Sequence, residues 1–292
     1  MKRNNKAKSV DRFVTGLLYA IAVFFVVLLA AITVYILYKG ARAVSPGLLS
    51  FHGDGVGVQL FNTVYLVFLS LLVTVPIGIL TGMYLAEYAG RGAFVAIIRT
   101  CVETLSSLPS IIVGLFGFLV LIQMTGSKWN LLAGSLSLAI INIPLIARTT
   151  EDAIRSIPRS YYDGSIALGA TRWQTLVHIL LKASVPRIIT GVILAAGRGF
   201  GEAAVLMYTA GMSSDINFNN WNPLSYNSPL NPLRPADTLS VHIWALKTEG
   251  IAANAQQIAD LSAAVLIILV FAFSLGSRAL GRHLQKKMLS ED

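Results

Sequence analysis

Residues 13–38 read FVTGLLYAIAVFFVVLLAAITVYILY, a run of 26 residues that contains no Asp, Glu, Lys or Arg. A helix needs about 20 apolar residues to cross the hydrocarbon core of a bilayer, so this run is long enough to span one. It is also much longer than the apolar part of a cleavable signal peptide, which has roughly 7–15 residues. We predict that residues 13–38 form a retained transmembrane helix, preceded by a short tail of residues 1–12.

Similar runs recur along the chain. Residues 55–86, 104–127, 129–147 and 261–277 are free of charge, and a stretch at about 187–212 is apolar apart from Arg198 and Glu202. Charged residues make up 13% of the chain, whereas a soluble domain carries about 25%. Buried core helices of a soluble protein are the alternative, but six such runs in 292 residues leave too little polar surface to cover them. The pattern predicts an all-α polytopic membrane protein with six transmembrane helices.

The basic residues indicate the orientation of these helices. With the N-terminus in the cytoplasm, seventeen of the 23 Lys and Arg residues fall on the cytoplasmic side, five fall outside, and Arg198 lies within a span. Cytoplasmic loops carry such an excess of basic residues. We therefore place both termini in the cytoplasm, with residues 284–292 as a second tail. The net charge of +9 is a topology signal and not the mark of a nucleic-acid-binding protein, because no basic stripe with interleaved aromatic residues is present.

The predicted cytoplasmic segment 150–186 has an ordered pattern. Ser160-Tyr-Tyr-Asp163 and Thr171-Arg-Trp-Gln174 both have the form of a capping box, in which a hydroxyl residue begins a helix. Gly169 lies between them, where a left-handed residue would end the first helix. We predict a short helix, a glycine hinge and a second helix that runs toward Leu181. Two capped helices around a hinge favour a docking element, with a solvated connector as the alternative.

The predicted external segment 213–257 divides into two parts. Its first half is rich in Asn and Pro, which predicts a loop without regular structure. Residues 237–253 mix polar and apolar side chains. This pattern is compatible with a short helix on the outer membrane surface or with a plain connecting loop.

Two ionisable residues, Arg198 and Glu202, lie inside the fifth predicted span. Charges at membrane depth are costly, so they are functional candidates. A spacing of four residues places both on one helix face, where they can pair. In one interpretation they neutralise each other and fix helix packing. In the other, Arg198 presents a planar fork of donors to an oxyanion while Glu202 holds it in place. Gly197, Gly199 and Gly201 would let neighbouring helices approach closely.

Three prolines, Pro76, Pro109 and Pro144, fall within predicted spans. Proline can kink a membrane helix, but packing between membrane helices also tolerates it. We expect ordinary packing at all three positions.

The cytoplasmic segment resembles the coupling loop of ABC importer permeases. That family has the pattern E-A-A, three residues, G, nine residues and then I-x-L-P. Here Asp163-Gly164-Ser165 stands for E-A-A, and Gly169, followed by Ala170, stands for the glycine. Lys182 replaces the final proline of the pattern.

Four further stretches resemble phosphate-specific transport permeases of the PstA type. They are LPSII at 108–112, IPLIARTTED at 143–152, RGFGE at 198–202 and PADTL at 235–239. The resemblance covers roughly residues 58–283. It implies a type I, MetI-like permease fold in the cytoplasmic membrane of a bacterium, and one half of a phosphate translocation path.

The resemblance also implies partners and site residues. The partners are a sister permease in a heterodimer, two copies of a cytoplasmic ATPase and an external phosphate-binding protein. Arg198 and Glu202 would lie on the substrate path. The ATPase-coupling loop would contain Asp163, Gly164, Ser165, Gly169 and Ala170.

The chain has no motif for driving transport itself. The sequence G-x-x-x-x-G-K-[ST] does not occur, so we expect a transport subunit rather than an enzyme, with ATP and Mg held by the partner and no cofactor on this chain. A single cysteine excludes an internal disulfide, and the four histidines lack metal-ligand spacing. Sulfate and molybdate suit an arginine fork as well as phosphate does. A secondary transporter or a membrane-embedded enzyme is a weaker alternative, because Glu202 is the only carboxylate in these spans that could couple an ion.

Overall fold

The computed structural model describes residues 2–45, 47–48, 50–51, 55–90, 92–214, 216–250 and 254–290. Within these ranges all of the regular secondary structure is helical, and no strand is present. The helices in chain order are α1 Lys2–Ala43, α2 Gly57–Tyr88, α3 Ala93–Ser107, α4 Ser110–Gln123, α5 Leu131–Arg155, α6 Arg159–Ala167, α7 Arg172–Gly201, α8 Ala204–Thr209, α9 Leu239–Thr248 and α10 Ala255–Ser290.

Five helices are long and apolar enough to cross a membrane: α1, α2, α5, α7 and the part of α10 at Ala255–Ala279. The shortest of these spans has 25 residues, which is about 37 Å at 1.5 Å per residue, more than the roughly 30 Å of the hydrocarbon core. The prediction of an all-α, multi-spanning membrane protein is therefore confirmed. The shape of the third predicted span and the bounds of the fifth differ from the prediction.

The third predicted span, residues 104–127, is not one straight helix. α3 and α4 meet at Leu108 and Pro109 and are bent by 104°. Leu108 is extended, with φ −67° and ψ 132°, because a proline ring disfavours the helical region for the residue before it. The expectation of ordinary packing at Pro109 is wrong. Pro76 and Pro144, in contrast, lie inside α2 and α5 without ending them.

The fifth predicted span, residues 187–212, has different bounds in the structure. α7 begins at Arg172, so the second helix of the cytoplasmic segment and the membrane helix form one continuous element of 30 residues. α7 ends at Gly201, and α8 starts at Ala204 after a short break. A movement at the Arg172 end of α7 is therefore a movement of the membrane helix as well.

The centre of the bundle is the crossing of α2 and α5, and α7 packs against α5. Two glycines of α2 allow the backbones to approach closely. A Cβ added to Gly78 would lie 2.6 Å from Ile146 Cβ, and one added to Gly82 would lie 2.5 Å from Thr150 Cβ. Small residues at crossings are typical of membrane helices, where close van der Waals packing drives association.

α1 stands at the edge of the bundle and packs against α10. No residue in the most apolar window of α1 is buried within this chain. Its closest approach is at Gly40, where an added Cβ would clash with Ala264. α1 includes residues 2–12, which we predicted to form a tail before the helix. The apolar surface of α1 is thus left for lipid or for another subunit.

The helix predicted within residues 237–253 is present as α9. Its first turn, at Leu239, Ser240 and Val241, is buried against the bundle, so this end does not lie on a membrane surface. Val241 joins an apolar cluster with Leu66 of α2 and Leu138 of α5. Residues 251–253, the last part of the predicted range, lie outside the described residues.

Candidate substrate path and coupling segment

α6 ends in a hinge at Gly169. This residue has a φ of +86°, in the left-handed region that favours glycine. The Gly169 N–H donates to Ile166 O at 2.9 Å, and the Ala170 N–H donates to Ser165 O at 3.2 Å. These are the two hydrogen bonds of a Schellman C-cap. The glycine hinge predicted from the sequence is therefore present.

The two predicted capping boxes have different outcomes. Thr171 caps α7: its Oγ1 accepts from the Gln174 N–H at 3.3 Å, and Gln174 Oε1 accepts from the Thr171 N–H at 2.8 Å. Ser160 does not cap α6, because that helix already begins at Arg159. Pro158 precedes it with an extended ψ of 136° and sets the helix start two residues earlier than a Ser160 cap would allow.

The predicted coupling residues divide into an exposed and a buried set. The exposed residues are Asp163, Gly164 and Gly169, and Ala170 is half-buried. Ser165 is buried, and its hydroxyl is hydrogen-bonded to that of Thr175 at 2.8 Å. Ser165 thus fastens α6 to α7 and is not available to a partner.

Large apolar side chains around the hinge are exposed, and the sequence reasoning missed them. Leu168 is 91% exposed, Tyr161 is 56% exposed and Trp173 is 54% exposed. Clustered exposed apolar side chains mark protein–protein contact sites. One sequence feature indicated such a surface: an apolar residue, Leu168, lies directly before the hinge glycine.

The opposite side of the coupling segment packs on the nearby ends of two membrane helices. Leu176 and Leu180 of α7 form a buried cluster with Met83 of α2 and Ile154 of α5. Because interiors are close-packed, a displacement of the segment is transmitted to α2 and α5.

An ion-pair cluster lies beside this packing. Glu151 Oε1 of α5 accepts from Arg99 Nη2 of α3 at 2.7 Å and lies 3.1 Å from Arg155 Nη2. Arg155 Nη2 also donates to Leu85 O of α2 at 3.0 Å. Pairs with exposed arginines stabilise a protein only weakly. Their main effect is geometric, because they fix the bent helix α3 to α5 and α5 to the end of α2.

Arg198 lies on a face of α7 that the described helices leave uncovered. The exposed positions Arg187, Thr190, Leu194, Arg198 and Gly201 recur every three or four residues and form one stripe along the helix. Arg198 is therefore on the side of α7 that faces away from this chain's own bundle.

Glu202 does not continue the helix that carries Arg198. α7 ends at Gly201, and Glu202 is extended, with φ −76° and ψ 117°. Its carbonyl O accepts from Ser240 Oγ of α9 at 2.8 Å. No ion pair among the described residues joins Arg198 to Glu202. The predicted pairing on one helix face is wrong, because the relation between residues four apart holds only while the helix continues.

Of the three glycines around Arg198, only one meets a neighbouring helix. A Cβ added to Gly199 would lie 3.2 Å from Leu138 Cδ2 and 3.3 Å from Val67 Cγ2. At Gly197 and Gly201, an added Cβ would meet no described atom within 4 Å. The close approach expected at all three positions holds for Gly199 alone, and the other two leave open space beside Arg198.

A buried polar network closes the end of the bundle where α2 begins, and the sequence reasoning did not find it. Arg234 is 1% exposed and donates to Asn62 Oδ1 of α2 at 2.8 Å. It also donates to the carbonyl oxygens of Ser228, Pro229 and Pro235. Burial lowers the pKa of Arg234 to about 10. These acceptors are neutral, so carbonyl and amide dipoles stabilise the charge here.

Asp237 extends this network to α9. His242 Nδ1 lies 2.6 Å from Asp237 Oδ2. Burial raises the pKa of Asp237, and the hydrogen bond with His242 partly offsets the shift. The Asp237 N–H donates to Ser214 Oγ at 2.8 Å, and its carbonyl O accepts from Asn62 Nδ2 at 2.9 Å. Hydrogen bonds therefore hold α2, α9 and the loop before α9 together.

A helical segment with a glycine hinge, joined to a membrane helix that carries one outward arginine, has a counterpart among known proteins. The model of the family described as the inner membrane component of binding-protein-dependent transport systems matches residues 75–290. The chain belongs to this family. The match includes α5, the hinge and all of α7, so the resemblance recognised in the sequence is confirmed.

The sequence is similar to those of transport permeases from several bacteria. The chain is 42% identical over 288 residues to a probable ABC transporter permease, YqgI of Bacillus subtilis, covering 96% of the chain and 98% of the relative. It is 31% identical over 226 residues to the phosphate transport system permease PstA of Haemophilus influenzae, covering 75% and 79%. It is 38% identical over 163 residues to PstA 2 of Mycobacterium bovis, covering 56% and 54%.

Solved structures agree with the fold. A bacterial ABC transporter involved in alginate import superposes with a TM-score of 0.65 at 18% identity, over 96% of this chain and 99% of the other. The MetNI methionine transporter, in an inward-facing conformation, gives a TM-score of 0.55 at 20% identity, over 78% and 94%. The chain therefore has the type I, MetI-like fold of ABC importer permeases and is a multi-pass membrane protein.

Proposed function

We propose that this chain is a membrane permease subunit of an ATP-driven importer of inorganic phosphate and forms half of the translocation path. Membership of the family means that the chain is an ABC importer permease component. Support for phosphate comes from relatives of the PstA type that match three quarters of the chain at 31% identity.

The observation that carries the proposal is the position of Arg198. It is the only basic residue between Arg187 and Arg234, and it lies on the uncovered stripe of α7. Desolvating an oxyanion in a membrane requires a compensating charge with hydrogen-bond donors. Arginine supplies both. A path between this stripe and a second permease would expose the anion to Arg198, with room left by Gly197 and Gly201.

Coupling to ATP hydrolysis is assigned to the hinge segment. Its exposed tip at Asp163 and Leu168 would contact a separate ATPase, which holds ATP and Mg. The buried side of the segment is packed on α2 and α5. Since α7 is continuous from Arg172 to Gly201, a movement of the tip would reach the region of Arg198 along one helix.

The assembly that follows has three kinds of partner. A sister permease would form a heterodimer with this chain and cover the stripe of α7. Two copies of the ATPase would bind the cytoplasmic segments, and an external phosphate-binding protein would deliver the anion. The chain would lie in the bacterial cytoplasmic membrane with both ends inside, as the excess of basic residues indicates.

The decisive experiment is uptake of labelled phosphate by cells that lack this chain, with labelled sulfate as the control. Loss of phosphate uptake with normal sulfate uptake, restored by the wild-type gene, is expected. Normal phosphate uptake together with loss of sulfate or molybdate uptake would assign another oxyanion to the same path. Arg198 does not distinguish among these anions, because each offers oxygens to the same fork.

A further inference from the structure

The Asn/Pro-rich external segment folds as a fixed loop. Residues 216–233 read INFNNWNPLSYNSPLNPL and contain no charged residue. Asparagine side chains close its turns by accepting backbone N–H groups two residues further on; the acceptors are Asn217, Asn220, Asn222 and Asn231. This is the turn-forming role of asparagine. The loop therefore has a defined outer surface.

The loop rests on the external end of α2. The Tyr65 hydroxyl donates to Leu230 O at 2.7 Å. The Phe218 ring packs edge-to-face on Phe61, with 5.6 Å between ring centroids, and Trp221 follows at 6.4 Å from Phe218. An aromatic cluster thus connects the loop to two adjacent turns of a membrane helix.

The position of this cluster along α2 fixes its depth. α2 has 32 residues, about 48 Å of helix, against a hydrocarbon core of about 30 Å, so each end of a centred helix projects about 9 Å. Phe61 and Tyr65 lie about 6 and 12 Å from Gly57 along the helix at 1.5 Å per residue. For α2 centred in the bilayer, this places the cluster near the outer boundary of the hydrocarbon core.

The exposed side chains of the loop combine large apolar and aromatic groups with the uncharged polar groups of Asn217, Asn219 and Asn222. Leu224 is 92% exposed, Leu233 is 60%, Tyr226 is 56% and Trp221 is 52%. Below them, α2 exposes Val64, Phe68 and Leu72. Trp and Tyr are enriched at the membrane–water boundary, where one end of the ring is apolar and the other is wet.

We propose that residues 216–233 form an interfacial anchor that inserts Trp221, Leu224 and Tyr226 into the headgroup region of the external leaflet. Three observations agree on this partner: the depth of the cluster, the aromatic composition, and the continuity with the exposed apolar face of α2. Surfaces that dock soluble proteins use charged groups for electrostatic complementarity. The absence of charge from this stretch of sequence favours lipid over such a partner.

Photo-crosslinking of the full transporter in its native membrane tests the anchor. Leu224→benzoylphenylalanine places the probe at the most exposed position of the loop, and Leu168→benzoylphenylalanine is the matched control, because these leucines are 92% and 91% exposed at opposite ends of the fold. We expect phospholipid adducts from position 224 and none from position 168. Adducts of position 224 with another protein, or with no molecule at all, would overturn the proposal.

A second measurement does not depend on crosslinking yield. In a Cys101→Ser background, Leu224→Cys and Lys247→Cys are treated with a water-soluble, membrane-impermeant maleimide in whole cells. We expect Lys247→Cys to be labelled and Leu224→Cys to lose reactivity until detergent is added. Equal labelling of both cysteines in intact membranes would place the loop in water and refute the anchor. Protection of Leu224→Cys that disappears when the external binding protein is deleted would also refute it, in favour of a protein-docking surface.

Discussion

Gly169→Ala is expected to weaken association with the ATPase and reduce transport. Gly169 has a φ of +86°, and a side chain in the left-handed region costs about 1–2 kcal/mol. An added Cβ would meet no described atom within 4 Å. Steric overlap therefore adds nothing, and backbone strain is the whole effect. A penalty of this size lowers the population of the native hinge by about 5–30-fold.

Gly164→Ala is the matched control. Gly164 lies inside α6, and a Cβ added there also meets no described atom within 4 Å, but its φ is not positive. Alanine in place of glycine in a helix is favourable by up to about 1 kcal/mol. The two variants add the same methyl group five residues apart and differ in backbone conformation.

The assay combines three readouts on the same cells: the amount of the chain in the membrane fraction, co-purification of the ATPase, and uptake of labelled phosphate. We expect normal insertion for both variants, with reduced co-purification and uptake for Gly169→Ala alone. Gly169→Asn should lie between them, because asparagine tolerates the left-handed region better than alanine does. If Gly169→Ala matches Gly164→Ala in ATPase binding and uptake, the reasoning about the hinge is refuted.

Three further predictions concern the path, the helix crossing and the second cap. Arg198→Gln should abolish phosphate uptake with assembly intact, and Arg198→Lys should keep part of it because the charge remains while the fork is lost; wild-type uptake in a well-assembled Arg198→Gln, Glu202→Gln double variant would contradict a direct role. Gly82→Val should lower the yield of folded protein, since its side chain meets Thr150 at van der Waals overlap and overpacking costs about 1–3 kcal/mol; thermal inactivation in detergent measures this, with exposed Gly90→Val as the control. Thr171→Ala should destabilise the start of α7 by about 0.5–2 kcal/mol through loss of the cap, seen as faster proteolysis near Arg172, whereas Thr171→Ser should behave like the wild type.

The sequence by itself determined the features that depend on neighbouring residues. The charge-free runs predicted the membrane helices, because the cost of a charge in hydrocarbon depends on local composition. The hinge at Gly169 and the cap at Thr171 were also predictable, since both rest on hydrogen bonds within a few residues. The loop pattern around Asp163 and Gly169 was sufficient to recognise the family.

Tertiary structure decided the features that depend on residues far apart in the chain. The sequence placed Glu202 on the face of Arg198, but α7 ends at Gly201, and the Glu202 carbonyl instead accepts from Ser240, 38 residues away. The family pattern predicted Ser165 as a coupling residue. In the structure it is buried, and its hydroxyl is hydrogen-bonded to that of Thr175 across the hinge. Arg234 is one of the five basic residues on the predicted external side. In the structure it is buried and donates to Asn62, 172 residues earlier. A local pattern identifies which groups are costly to bury, but only packing between distant segments decides which of them are satisfied by a partner, and therefore which remain exposed to bind a substrate or another protein.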